Sequence, residues 1–295
     1  MIKKLLASAA VASLTWSSVS GADTALVEPH ILAMIEAGQP MEMEYNIKAS
    51  AWVLILPITG KANFRVTMNK DTYAIRSLVK TTGLADILVN YDLEFAASGY
   101  TSPEGLDTYA FVSQNKDGKK NRRVEMDYNY DTREVAVDIH PPLGSQGVPP
   151  ASMEERFEAD DTITTILAMM MRGTRIDGEL CKGTIPVFDS KQHYGLRMVR
   201  LGPKKVKYNG KKVMGVKCHV FYEPISGFDP EDLPEEEESS TPINVYFAKD
   251  ETANLYVPVE FAYKISGFKA KIKLSDMRIA LGGNAAETAD AMQTD

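Results

Sequence analysis

Apolar and polar residues alternate through most of the chain, the period-two pattern of strands that bury one face. Met43, Tyr45, Ile47 and Ala49 alternate with Glu44, Asn46 and Lys48, which predicts a first strand over 43–49. Ala62, Phe64, Val66 and Met68 share one side of a strand over 60–68. Pro57 separates that strand from the apolar 51–56 segment, read as a strand end or a hairpin connection. A third strand covers 71–79, a helical turn 82–88, and a further strand 89–96, where Val89, Tyr91, Leu93 and Phe95 alternate with polar residues. Segments 109–114 and 122–128 flank Asp117-Gly118, predicting a hairpin with a polar tip over 115–121. A strand over 134–139 ends at His140-Pro141-Pro142, and a loop rich in Gly and Pro runs on to Pro150.

The second half continues in strands through 187–189 and 194–198. Asn209-Gly210 then joins 204–208 to 211–222, the strongest hairpin signal in the chain. Three more strands follow over 243–248, 256–265 and 268–281. Between them, 228–241 reads as a solvated acidic loop around Glu235 to Glu238. A calcium site would want spaced oxygens and a Gly turn in place of a plain acidic run. Residues 282–295 read as a disordered tail.

One segment breaks the alternation. Over 162–172, Ile163, Ile166, Leu167, Met170 and Met171 fall at i, i+3, i+4, i+7 and i+8, one apolar stripe of a helix. Asp160 or Asp161 is placed to cap its free N–H groups, and Gly173 to stop it. A lone apolar helix among strands must bury its stripe against a sheet. The pattern therefore predicts a mainly β fold with one α-helix buried against the sheet. The Gly/Pro loop before the helix is the one internal boundary, but the stripe needs sheet to cover it, so 23–281 is taken as a single domain. Methionine packs adaptably against irregular apolar shapes. The stripe of Ile163, Ile166, Leu167, Met170 and Met171 is thus a candidate wall of an apolar cleft, with plain core filling as the alternative.

The first residues change the picture. Lys3 and Lys4 precede an apolar run from Leu5 to Trp16, and Ser20-Gly21-Ala22 supplies small residues for cleavage, the pattern of a secretory signal peptide over 1–22. The run is too short for a permanent membrane anchor. No Cys follows it to take a lipid, and no later segment reaches spanning length. The expected location is the periplasm. The formal charge of −7 falls by the two leader lysines to −9, which argues against nucleic acid and against electrostatic docking on anionic lipid. Cys181 and Cys218, the two cysteines of an exported chain, are expected to form a disulfide. Metal binding and redox exchange have less support: there is no Cys-x-x-Cys, and no Cys or His stands at the usual two-to-four spacing, His219 being directly adjacent to Cys218.

Chemistry is sparse. The four histidines, His30, His140, His193 and His219, form no paired metal motif, and no phosphate loop, dinucleotide fingerprint or nucleophile elbow appears. Asp189, Ser190 and His193 lie too close in sequence to converge as a triad, whose members come from separate elements. Glu42 and Glu44 share a strand face and read as a solvated edge. Tyr45, Tyr73, Tyr91, Tyr109 and Tyr128 read as strand residues. No cofactor is expected, and an enzyme is not.

Three stretches together carry a family resemblance: Gly83-Leu84 with Ser98-Gly99-Tyr100 and Gly105-Leu106; the helix start Asp161-Thr162-Ile163-Thr164-Thr165-Ile166-Leu167; and Cys181-Lys182-Gly183-Thr184-Ile185-Pro186-Val187-Phe188-Asp189. From about Tyr45 to Leu281 the chain resembles the exported bacterial family known as domain of unknown function 3108. The resemblance implies a highly curved antiparallel sheet, an open barrel or β-spiral in the manner of lipoprotein-localisation factors, wrapped around one central α-helix, and brings no catalytic residues. The strand end here is Phe188-Asp189-Ser190-Lys191, with Ser where the family has Gly, which questions a tight positive-φ turn. Three functions compete: an envelope factor binding a lipid, lipoprotein, other apolar ligand or protein partner; a structural protein of the cell envelope; and an undetected hydrolase.

Overall fold

The computed structural model describes residues 41–53, 56–69, 71–82, 92–101, 105–116, 121–172, 180–251, 253 and 255–281. The predicted leader, the turn at 83–88 with Gly83-Leu84, Val89 and Tyr91, the Asp117-Gly118 tip, Gly173 and the tail lie outside them.

Thirteen strands among the described residues form one antiparallel sheet. They are β1 (Met41–Val53), β2 (Leu56–Met68), β3 (Thr72–Thr82), β4 (Asp92–Thr101), β5 (Leu106–Asn115), β6 (Arg123–Asn129), β7 (Glu134–His140), β8 (Lys182–Phe188), β9 (His193–Tyr208), β10 (Lys211–Ser226), β11 (Ile243–Asp250), β12 (Leu255–Ile265) and β13 (Phe268–Leu281). Their order is β7-β6-β5-β4-β3-β2-β1-β13-β12-β11-β10-β9-β8. Two meanders thus fan out from a central seam, where β1 pairs with β13 from Met41↔Leu281 to Val53↔Phe268. The sheet does not close, for β7 and β8 are its two ends.

Local chemistry explains most of these elements. In β6 the alternating Val124, Met126 and Tyr128 are buried while their neighbours face outward. Asn209 and Gly210 both take positive φ (45° and 77°), as a two-residue turn matched to strand twist requires. The predicted segments 194–198 and 204–208 are one 16-residue strand, accommodated by a register shift opposite Lys217/Cys218. Pro57 is no boundary: it lies in β2 in register with Trp52. It lies at the start of the strand, ahead of the β2–β3 ladder, which begins at Thr59.

The helix expected over 162–172 is shorter and not alone. In the connection from β7 to β8, α1 (Met153–Phe157) precedes α2 (Thr164–Met171). Ser152 and Glu155 form a reciprocal capping box on α1. Of the two candidate caps, Asp161 serves α2: its Oδ1 accepts the N–H groups of Ile163 and Thr164, each at 2.9 Å. Asp160 instead covers the β8 edge. Its N–H donates to the Pro186 carbonyl (3.0 Å), and its own carbonyl accepts from Phe188 (2.9 Å).

Leu167 and Met170 of α2 are fully buried in a core cluster that draws residues from both meanders, among them Met43, Tyr73, Met126, Val257 and Met277. Met169 turns to a second cluster with Leu180, Cys181, Cys218, Val245 and Phe247. Thr164 and Thr165 are buried as well, while Ile166 and Met171 are only half-buried. The buried surface is therefore wider than the predicted stripe and rotated from it. Among the described residues no helix is long and apolar enough to cross a membrane.

Candidate functional site

The acidic segment predicted as a solvated loop keeps Glu235 to Glu237 exposed, but it is partly helical and forms a lid. A 3-10 turn (Pro230–Asp232) leads into α3 (Glu236–Ser240), with Glu235 and Glu238 capping each other's backbone. The acidic residues that suggested solvation place negative charge at a positive helix end. The lid is tied down on two sides. Lys191 pairs with Asp229 (2.6 Å) and Asp232 (3.5 Å), and Ser145 donates to Asp229 (2.5 Å). The Tyr263 hydroxyl donates to the Glu238 carbonyl (3.3 Å), and the Ser266 N–H donates to the Glu237 carboxylate (2.9 Å). Lys191 and Ser145 hold the Asp229 carboxyl below the usual carboxylate range.

Beneath the lid lies a pocket of about 460 Å³. Its floor is apolar: Ile243 from β11, Phe261 from β12, and Phe268, Ala270 and Ile272 from β13. Asp232, Leu233, Pro234, Glu238 and Thr241 form the roof, and Asp189, Gln192, Tyr194 and Tyr222 stand at one end. Ile243 and Phe261 also pack against the cluster that contains Cys181 and Cys218. The pocket floor and the disulfide are thus one packed unit. That disulfide joins Cys181, just before β8, to Cys218 in β10, with Cα atoms 6.1 Å apart.

Burial favours the neutral form of Asp189 and of the pocket's tyrosines. Burial raises the Asp189 carboxyl, although two backbone N–H groups, from Lys191 (3.1 Å) and Gln192 (2.7 Å), pull it back. Burial likewise raises Tyr194 and Tyr222, and it pushes Tyr263 up to about 12. A volume of this size with apolar walls and a few polar groups at one end suits an apolar ligand with a small polar head.

The turn beside the pocket answers the question raised by Ser190. Ser190 adopts φ 91°, so the positive-φ turn persists without Gly. A side chain there is strained. Ser190→Gly is expected to raise stability by about 0.5–1 kcal/mol, less than the full strain because Gly also loosens the unfolded chain. A higher urea midpoint at unchanged slope checks this. Gly99 and Gly227 are among the glycines fixed by close approach. A Cβ on Gly99 would collide with the Asp107 carbonyl and the Tyr73 ring, and one on Gly227, itself at φ 78°, with the Lys191 carbonyl.

The residues singled out by pattern fall elsewhere. None of Ile163, Ile166, Leu167, Met170 and Met171 lines this pocket. Ile163, Leu167 and Met170 are buried in the main cluster, and Ile166 and Met171 pack against it. The signal that could have found the pocket is the Leu233-Pro234 pair inside an otherwise acidic loop. Asp189, Ser190 and His193 do not converge: Asp189 is spent on its own turn, and His193 Nδ1 faces Glu155 at 3.7 Å. Ser226 donates to the same Glu155 carboxylate (3.1 Å). Hydroxyl and imidazole therefore flank one carboxylate, whereas a nucleophile relay needs the imidazole in the middle. Burial lowers the His193 pKa, and Glu155 partly restores it.

Two of the strand tyrosines do more than pack. The Tyr45 hydroxyl donates to the Pro258 carbonyl, linking β1 to β12. The Tyr73 hydroxyl is within 3.1 Å of both Thr108 Oγ1 and Thr164 Oγ1, and Thr108 donates to Asp161 Oδ2 (3.1 Å). This buried chain fixes the start of α2 to β3 and β5. Among the described residues no three His, Cys, Asp or Glu gather as a metal centre.

No curated protein matches the chain. Among solved structures it is similar to a β-barrel-like protein of domain of unknown function DUF1849 from Brucella abortus. Identity is 12%, the TM-score 0.49, and the match covers 82% of this chain and 98% of that one. A DUF1329 family protein from Desulfovibrio piger matches at 11% identity and TM-score 0.30, covering 89% of this chain and 95% of its own. A domain assigned to outer-membrane lipoprotein sorting, from Vibrio parahaemolyticus, matches at 11% and 0.28, covering 89% and 96%. At these scores none bears on ligand or mechanism. The family model described as "Protein of unknown function (DUF3108)" matches residues 42–273, well over half the chain, and the protein belongs to that family.

Proposed function

We propose that this protein is a non-catalytic binding factor of the bacterial envelope that holds an apolar ligand, a lipid or an acyl chain, beneath the lid of residues 228–241. The observation that carries the reading is the pocket: about 460 Å³, floored by Phe261, Phe268, Ala270 and Ile272. Its neutral-leaning polar end would receive a head group. The Lys3-Lys4 leader pattern and the Cys181–Cys218 disulfide support an oxidising, exported setting, the periplasm. On this reading the curved sheet wraps α2 as its central support, and α2 shapes the core without touching the ligand.

The test is uptake of a fluorescent fatty-acid probe, with mass spectrometry of lipids that co-purify from the periplasm. Ala270→Trp fills the pocket and is expected to cut probe uptake at least tenfold at near-wild-type stability. Met170→Ala removes a fully buried side chain. It should cost about 2–5 kcal/mol and leave uptake by the folded fraction unchanged. Wild-type protein that takes up no probe and carries no lipid would sink this reading and leave a structural role in the envelope or a protein partner.

A further inference from the structure

From Arg197 to Lys217 the chain carries Arg197, Arg200, Lys204, Lys205, Lys207, Lys211, Lys212 and Lys217, with no acidic residue, in a protein whose formal charge is −7. The β9–β10 hairpin folds this run into a two-faced element. Val206 and Val213, in register, and Tyr208 belong to the main core or pack against it, and the Tyr208 hydroxyl donates to Asp250 (2.6 Å). The opposite face pairs Lys207 with Lys212 and Lys205 with Met214. Lys204 and Lys211, opposite Gly215 and Tyr208 in the register, belong to the other face near the hairpin's end and are exposed as well. Among the described residues none of these five lysines joins an ion pair, whereas Arg197 is matched by Glu223 at 2.5 Å. Like charges directly across a ladder repel. The uncompensated Lys207–Lys212 pair therefore costs stability until an anion meets it. Met214 stands at its edge, 63% exposed, and Leu201 further along β9 is 49% exposed. A groove of about 380 Å³ opens between the hairpin and β12–β13, lined by Lys204, Lys205, Lys207, Lys273 and Tyr246 and bordered by Glu260 and Asp276. Of these two acids, Glu260 is already paired with Lys271 (2.6 Å).

We infer that this hairpin face is a docking surface for an anionic lipid membrane. Unpaired lysines around a protruding methionine fit a bilayer interface. Lysine stems reach phosphates while their charge stays wet, and the thioether enters the acyl boundary. An acidic protein partner fits less well, because lysine is depleted at protein–protein interfaces. The chain's net negative charge opposes docking of the protein as a whole, so the contact is confined to this face and orients the molecule. The inference stands on surface charge and not on the pocket.

Flotation with vesicles of phosphatidylcholine containing one-third phosphatidylglycerol tests it, against pure phosphatidylcholine. Wild-type protein is expected to bind the anionic vesicles at 50 mM salt, to release at 300 mM, and to ignore the neutral ones. Lys207→Gln and Lys212→Gln should each weaken binding about fivefold, and Met214→Ser severalfold, with thermal midpoints held as a folding control. Wild-type protein that fails to float, or variants that float like wild type, would overturn the inference. So would equal binding to soluble poly-glutamate that is indifferent to Met214→Ser, since that would assign the face to an acidic protein. Filling the pocket with Ala270→Trp should not alter flotation, which keeps this test separate from the ligand test.

Discussion

Replacing Asp161 with Ala should destabilise the protein by about 3–5 kcal/mol, whereas Asp161→Asn should stay within about 1 kcal/mol of wild type. Asp161 is fully buried and caps α2 through two backbone N–H groups, and its second oxygen accepts from Thr108. Alanine leaves the two N–H donors without a partner in a site that water does not reach, and it takes from Thr108 its carboxylate acceptor. It also loosens the chain of hydroxyls through which Tyr73 holds Thr164. Asparagine keeps an oxygen for the two N–H groups, and its amide can donate to Thr108 in turn. Burial raises the Asp161 carboxyl, against the pull of its hydrogen bonds. The native state therefore holds that proton more tightly than the unfolded chain does. This contribution favours the fold at low pH and is lost as pH rises from the unfolded Asp value, near 4, through the folded one. Asp161→Asn should remove that part of the pH dependence. Urea unfolding at a series of pH values checks both substitutions, and an Ala variant within 1 kcal/mol of wild type would refute the account.

The two threonines of α2 explain why the buried helix face is wider than the apolar stripe. Thr164 and Thr165 read as polar positions, yet both are buried, because Tyr73 and the Asp161 carbonyl satisfy their hydroxyls. Those partners are distant in sequence or belong to the backbone, and no periodicity announces them. The strands were legible because alternation reports which side chains face inward, and Asn209-Gly210 fixed its hairpin by the φ values it permits. Alternation does not report which strand lies next to which, so the β1–β13 seam, which makes one sheet of two meanders, could not be read. The α1 helix had a signature in Ser152-x-x-Glu155, but five residues are too few to show a period. The candidate pocket was hidden for a different reason. Its roof is the most acidic run in the chain, and only the fold brings Leu233 and Pro234 over Phe261 and reveals the glutamates as helix-capping groups.

Removing the disulfide should have an effect of similar size. The Cys181–Cys218 link closes 37 residues of sequence. Restricting the unfolded chain over that loop is worth about 3–4 kcal/mol. The double variant Cys181→Ala, Cys218→Ala is expected to lose that much, and reduction of the wild type should reproduce the loss once the thiols are exposed. Both cysteines are buried among Met169, Val245 and Phe247, so the variant also thins the packing behind Phe261 and Ile243. The consequence distinguishes this site from Asp161. Loosening the disulfide cluster should weaken fatty-acid probe uptake in the folded protein, because Phe261 and Ile243 are shared with the pocket floor. Asp161→Ala acts at the far end of α2 and should change stability alone. Urea midpoints with and without reductant, paired with probe titration on the folded fraction, separate the two effects. Equal midpoints after thiol counting has confirmed full reduction would show that the link does not hold the two parts of the fold together.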